Sequence, residues 1–169
     1  MKISPVSLQQ AVHLLKKHNR PYLVAHPRPD GDTLGCTLAL RLALIALGKA
    51  PIVACVHPVP PNLRYLPDAE AFVQAVPEES AAIAVDLLIA VDMSDLQRTG
   101  GMVPESWIGR LPLLVIDHHA TNDNFGDVNL VMPEAAATVI PLIALFEALG
   151  VSINADIATC LLTGLLTDT

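Results

Sequence analysis

The chain has 169 residues, 52% of them hydrophobic and only 16% charged, with a mean hydropathy of +0.48 and a net charge of −7. That length suits one domain with a substantial core, and the apolar excess points to strands covered on both faces. Ten scattered basic residues and 4% aromatics exclude the basic track with stacking rings that holds long nucleic acid. No membrane span is expected: the apolar run at 38–47 is short and carries Arg41, and the run at 139–151 carries Glu147. Residues 1–7 lack the apolar core of a signal peptide, so a cytoplasmic location is expected. Cys36, Cys55 and Cys160 form no Cys-x-x-Cys and read as small core residues in a reducing compartment.

Residues 7–18 carry Leu8, Val12, Leu14 and Leu15 and predict an amphipathic helix, with His13 and His18 facing solvent. Residues 22–25 are a short buried strand. The next helix is predicted over 33–47, with Asp32 or Thr33 as its cap and Gly48 just past its end. A strand at 51–56 leads into a proline-rich loop with His57 at its surface, then to a short edge strand within 71–76. Residues 87–91 form a buried strand ending at Asp92. Ser94 or Asp95 then caps a short helix closed by Gly100-Gly101. Residues 111–116 are the next strand, ending at Asp117-His118-His119. A long helix is predicted over 134–149, stopped by Gly150, and another opens at Asn154-Ala155-Asp156 and runs to Leu162 or beyond. Strands alternating with helices predict an α/β fold: a parallel sheet with right-handed crossovers, flanked by helices on both faces. In that architecture ligands bind beyond the carboxyl ends of the strands.

His26, Asp92 and Asp117 each follow an apolar strand, so the sheet edge would collect His26, Asp30, Asp32, Asp92, Asp117, His118 and His119. Asp168, where the last apolar run gives way, is a further candidate. Taken singly, an aspartate after a strand is usually a turn or cap residue, and a lone histidine a packed one. Their joint occurrence at strand ends carries the weight. Carboxylates gathered this closely repel and take up protons unless cations separate them. Oxygen-rich ligands with imidazoles suit Mn²⁺ or Mg²⁺, with Zn²⁺ and Co²⁺ as alternatives. There are too many acids for one ion, and an aspartate bridging two ions roughly 3.5–4 Å apart is the arrangement that hydrolyses phosphate esters.

Four motifs in order resemble the DHH phosphoesterase family: His26-x-x-x-Asp30-x-Asp32, Val91-Asp92-x-Ser94-Asp95, Ile116-Asp117-His118-His119 and Gly164-Leu165-Leu166-Thr167-Asp168-Thr169. Within it the wording His118-His119-Ala120-Thr121-Asn122, Phe125-Gly126-Asp127 and Pro133-Glu134-Ala135-Ala136-Ala137-Thr138 is similar to the NrnA-type subgroup, bifunctional oligoribonucleases (nanoRNases) and 3′-phosphoadenosine 5′-phosphate phosphatases. The resemblance implies two divalent ions, Mn²⁺ before Mg²⁺ or Co²⁺. His26, Asp30 and Asp92 would hold one ion and Asp32, Asp92, His118 and Asp168 the other, with Asp92 bridging. It also implies that His119 faces the substrate phosphate while Asp117 stands behind, orienting the neighbouring imidazole. Arg28 and Arg98 are the basic residues nearest the motifs and the candidates for touching phosphate, although exposed arginines are common.

The family motif continues Asp-Thr-Gly, whereas the chain stops at Thr169. By the resemblance the partners are therefore a short RNA or small nucleotide, a DHHA1 domain from the same parent chain that completes the substrate site, and a second copy in a homodimer. Three readings follow: the phosphohydrolase just described, a same-family enzyme for cyclic dinucleotides or inorganic pyrophosphate, and a nucleotide-binding module without turnover. A dehydrogenase is set aside because no Gly-x-Gly-x-x-Gly follows a strand.

Overall fold

The computed structural model describes residues 3–76 and 85–168; Thr169 of the fourth motif and residues 1–2 of the N-terminal stretch lie outside them. In chain order the elements are α1 (Pro5–Lys17), β1 (Pro21–Val24), α2 (Gly31–Ala46), β2 (Ile52–Ala54), β3 (Phe72–Val73), β4 (Leu87–Val91), β5 (Leu113–Asp117), β6 (Val128–Val131), α3 (Val139–Leu149) and α4 (Ala155–Asp168). The six strands form one sheet in the order β3-β2-β1-β4-β5-β6, parallel at every pairing. The chain thus runs outward from β1 to β3, returns beside β1 as β4, and runs outward again to β6. The carboxyl ends of β1 and β4 flank the point where strand order reverses, which is where open parallel sheets place their ligands.

The continuous apolar strands have the burial their composition predicts: β1, β4 and β5 are buried at every residue. Leu23, Leu87, Ile89, Val91, Leu114 and Ile116 point to one face, where they pack with residues of all four α-helices. Tyr22, Val24, Leu88, Ala90 and Val115 point to the other, covered by Met93, Leu96, Met102, Val103 and Trp107. The two layers are therefore unequal: all four α-helices cover the first face, and among the described residues only 3₁₀ helices cover the second. The second face carries short 3₁₀ turns at Leu96–Thr99 and Glu105–Trp107. Tyr22 anchors this thinner layer, donating its hydroxyl to the Met102 carbonyl at 3.0 Å and meeting the Trp107 ring edge-on.

Several sequence expectations shift. The cap of α2 is Asp30, whose Oδ1 accepts the Thr33 amide at 3.0 Å, so the helix begins at Gly31 and Asp32 sits inside it. The long helix expected from residue 134 begins at Val139, with Pro141 in its first turn, where a missing donor costs nothing. Strand β6 was not predicted: Val128 and Leu130 point inward and Asn129 is half-buried, too brief an alternation to register. The edge strand expected within 71–76 contracts to Phe72–Val73. His18 is half-buried, 3.9 Å from Asp86, rather than facing solvent; His13 is exposed as expected.

Helices α2 and α4 approach closely because glycine lines their contact. A Cβ at Gly35 would lie 2.4 Å from the Cys160 carbonyl, and one at Gly164 would lie 2.8 Å from both Asp32 Oδ1 and Val139 Cγ2. Alanine in a helix is intrinsically better than glycine by roughly 0.5–1 kcal/mol, but forcing a methyl into a packed contact costs about 1–3 kcal/mol. Gly35→Ala is expected to lower the melting temperature by about 2–8 °C. Calorimetry that finds the variant as stable as the parent protein would dismiss the steric role.

Candidate metal centre

Each strand end contributes for a local reason. After β1, Pro27 and Pro29 stop the sheet, His26 turns toward the cleft, and Asp30 caps α2 with its second oxygen 3.8 Å from His26 Nε2. Asp32, in the first turn of the helix, is 1% exposed. Its Oδ2 accepts the Thr138 amide at 2.7 Å and its Oδ1 accepts the Cys36 thiol at 3.2 Å. After β4, Asp92 takes a left-handed backbone (φ +59°), unusual for a residue other than glycine. It is 2% exposed, and both carboxylate oxygens accept hydroxyls: Thr33 Oγ1 at 2.6 Å and Thr138 Oγ1 at 2.8 Å. At the end of β5, Asp117 is fully buried and accepts His119 Nδ1–H at 2.7 Å and Asn122 Nδ2–H at 2.6 Å. The imidazole that Asp117 orients is therefore that of His119.

His118 is held differently. Its Nδ1 donates to the Ala135 carbonyl at 3.1 Å, which turns Nε2 toward three carboxylates. Asp168 Oδ2 lies 3.2 Å away, Asp92 Oδ1 3.8 Å and Asp32 Oδ2 3.9 Å. Asp168 arrives from the last turn of α4 rather than from a strand end, at the helix terminus where the dipole disfavours a negative charge. Three overlapping groups result, each with its ligand atoms mutually within 4.8 Å: His26, Asp30 and Asp92; Asp32, His118 and Asp168; and Asp92, His118 and His119.

The protonation pattern follows from this crowding. Burial, reinforced by the Asp92 charge, pushes Asp32 up to about 6, and burial also raises Asp92. Burial works against ionisation of Asp30 and Asp117 too. At Asp30 the His26 imidazole and the Thr33 amide outweigh it; at Asp117 the hydrogen bonds from His119 and Asn122 do. Both carboxyls end below the usual range. His119 is raised, chiefly by its bond to Asp117.

This donor set fits hard divalent cations. His118 Nε2 faces three carboxylates, so a lone pair presented there repels them unless a cation is shared, and the Nδ1–H to carbonyl bond is how ligating imidazoles are usually fixed. Sulfur takes no part as a ligand: burial raises the Cys36 thiol well above its ordinary value, and it acts as a donor to Asp32. Arg28 and Arg98, both exposed, line a cleft of about 550 Å³ with His26, Pro27, Asp95 and Gln97. His57 is exposed and touches the Pro27 carbonyl. Thr33, Cys36, Asn122, Ala135 and Thr138 were assigned no part in the site by the sequence reading. Thr33 and Cys36 lie on α2 beside Asp32, and Asn122, Ala135 and Thr138 lie in the stretches that carry the family resemblance, so each had a positional signal but no assigned role.

The fold and site define a class: a fully parallel α/β domain with a carboxylate–imidazole centre where the strand order reverses. The chain belongs to the DHH family, whose N-terminal domain signature matches residues 21–165. It is 38% identical over 148 residues to the bifunctional oligoribonuclease and PAP phosphatase NrnA of Thermus thermophilus, an alignment covering 88% of this chain and 43% of that protein. An exopolyphosphatase-related protein from Bacteroides fragilis shares the fold with a TM-score of 0.87 at 23% identity, over 99% of this chain and 51% of that one. RecJ from Thermus thermophilus, solved in complex with Mn²⁺, matches with a TM-score of 0.54 at 22% identity, over 95% of this chain and 24% of that one. The chain spans about half the length of the curated relatives it matches. Among the described residues no helix is long and apolar enough to cross a membrane.

Proposed function

We propose that the chain is the catalytic half of a cytoplasmic phosphohydrolase that uses two divalent cations, Mn²⁺ foremost, to cleave short oligoribonucleotides and 3′-phosphoadenosine 5′-phosphate. The observation that carries this reading is the convergence of Asp32, Asp92 and Asp168 on His118 Nε2. The 38% identity to an oligoribonuclease and PAP phosphatase supports the substrate class. His26, Asp30 and Asp92 would hold one cation, and Asp32, Asp92, His118 and Asp168 the other. Bound there, the pair would supply charge neutralisation at the phosphoryl group and a water of lowered pKa.

The chain's own groups do the rest. Asn122 and His119 keep Asp117 ionised, and Asp117 in turn fixes His119 with Nδ1–H engaged. A raised pKa keeps His119 an imidazolium to higher pH, so its Nε2–H can donate to a phosphoryl or leaving oxygen. Arg28 and Arg98, in the cleft beside His26, would draw the substrate's anionic groups toward the centre. A DHHA1 domain in the parent protein would hold the nucleoside end.

The test is turnover by the full-length protein, with Mn²⁺, of a dinucleotide, 3′-phosphoadenosine 5′-phosphate, a cyclic dinucleotide and pyrophosphate side by side. Mononucleotide and phosphate are expected from the first two, lost with a chelator and restored by Mn²⁺. Turnover confined to the last two, or binding of all four without turnover, would replace this reading.

A further inference from the structure

The segment between β6 and α3 reaches into the centre at three points, two of them through a single residue. Thr138 donates its amide to Asp32 Oδ2 at 2.7 Å and its hydroxyl to Asp92 Oδ1 at 2.8 Å, and three residues earlier the Ala135 carbonyl accepts His118 Nδ1–H. Thr138 occupies the N-cap position of α3, where a threonine hydroxyl ordinarily accepts an amide of its own helix. It makes no such bond here. Its hydroxyl is given to a carboxylate 46 residues away and its amide to one 106 residues away.

We propose that Thr138 is a positioning residue that ties Asp32 and Asp92 into one rigid pair and so sets the affinity of the centre for divalent cations. The inference rests on the metal-centre reading above. Asp92 has a left-handed backbone and two carboxylate oxygens, each accepting one hydroxyl, from Thr33 and from Thr138. Those two bonds fix the plane of its carboxyl group. Each oxygen keeps a further lone pair, available to the groups that His26 and Asp30 form on one side and His118 and His119 on the other. Asp32 is restrained on both oxygens as well, by the Thr138 amide and the Cys36 thiol. Without the Thr138 hydroxyl, Asp92 keeps one donor of two and its carboxyl can rotate away from Asp32.

The experiment is a calorimetric Mn²⁺ titration of the full-length protein, read together with apo thermal unfolding. Thr138→Val removes the hydroxyl while keeping amide and shape, and is expected to weaken Mn²⁺ binding roughly 10- to 100-fold, the usual effect of losing a group behind the ligands. Thr138→Ser should restore affinity to within a few-fold. A merely structural role would lower the apo melting temperature and leave the affinity alone. If Thr138→Val does not fold, Thr33→Val removes the other hydroxyl on Asp92 and is expected to weaken binding in the same way. Unchanged Mn²⁺ affinity in the folded variant, with the parent protein binding normally, overturns this inference alone. Absence of Mn²⁺ binding in the parent protein overturns the metal reading and this inference with it.

Discussion

Asp92→Asn in the full-length protein is expected to reduce turnover by about a thousandfold or more while leaving the fold intact. Asparagine has the shape of aspartate and is among the few residues that tolerate the left-handed backbone found at this position. Its carbonyl oxygen can accept one of the two threonine hydroxyls that Asp92 holds, and its amide can donate to the other. What is lost is the negative charge shared between the groups at His26 and at His118. Charge stabilisation by a metal pair amounts to several kcal/mol, and about 4 kcal/mol corresponds to a thousandfold in rate. Measured kcat with saturating Mn²⁺, and the number of ions bound, decide the matter. Two ions bound and turnover within tenfold of the parent protein would remove Asp92 from the bridging role.

Asp32→Asn should separate stability from metal binding. In the metal-free protein Asp32 is pushed up to about 6 from an ordinary 3.8, so the folded state binds this proton more tightly than the unfolded chain. Stability from this group is therefore fully present below about pH 4 and falls as pH rises through about 6, by roughly 3 kcal/mol in all. Asp92, also raised, acts in the same direction. Asp30 and Asp117, which are lowered, contribute stability that is lost on acidification, and His119, which is raised, contributes stability that is lost as pH rises. The isolated Asp32 contribution is the difference between parent and variant between pH 4.5 and 7.5. With a chelator at pH 7.5, Asp32→Asn is expected to melt about 6–12 °C higher than the parent protein. With Mn²⁺ at a thousand times its Kd the order reverses: the filled site stabilises the parent by about 4.1 kcal/mol, more than the roughly 3 kcal/mol advantage of the variant, which loses that gain. Equal apo melting temperatures at pH 7.5 would show that Asp32 carries no uncompensated charge.

Much of this centre is legible in the order of the residues. Apolar runs that stop at an acid or a histidine mark strand ends, and a parallel sheet places such ends on one edge, so His26, Asp30, Asp32, Asp92, Asp117, His118 and His119 were expected together. The helix predicted from residue 134 failed because Ala135 and Thr138 are held by His118 and the two buried aspartates, and those long-range bonds override the local helix preference of Glu134-Ala135-Ala136-Ala137. Asp168 was recognised as a candidate, but its route was not: it reaches His118 from the end of α4, because Gly35 and Gly164 let that helix lie against α2.

The residue order by itself determined the alternation of strands and helices and most of the acids and imidazoles at the carboxyl ends of the strands. Those follow from periodicity and apolar run length, which are local properties. Only the tertiary structure decided that all four α-helices share one face, that Asp117 serves His119, and that Thr33 and Thr138 hold Asp92 between them. Such pairings span tens of residues and depend on separations of a few ångströms across packed helices. Pattern along the chain carries no record of that distance.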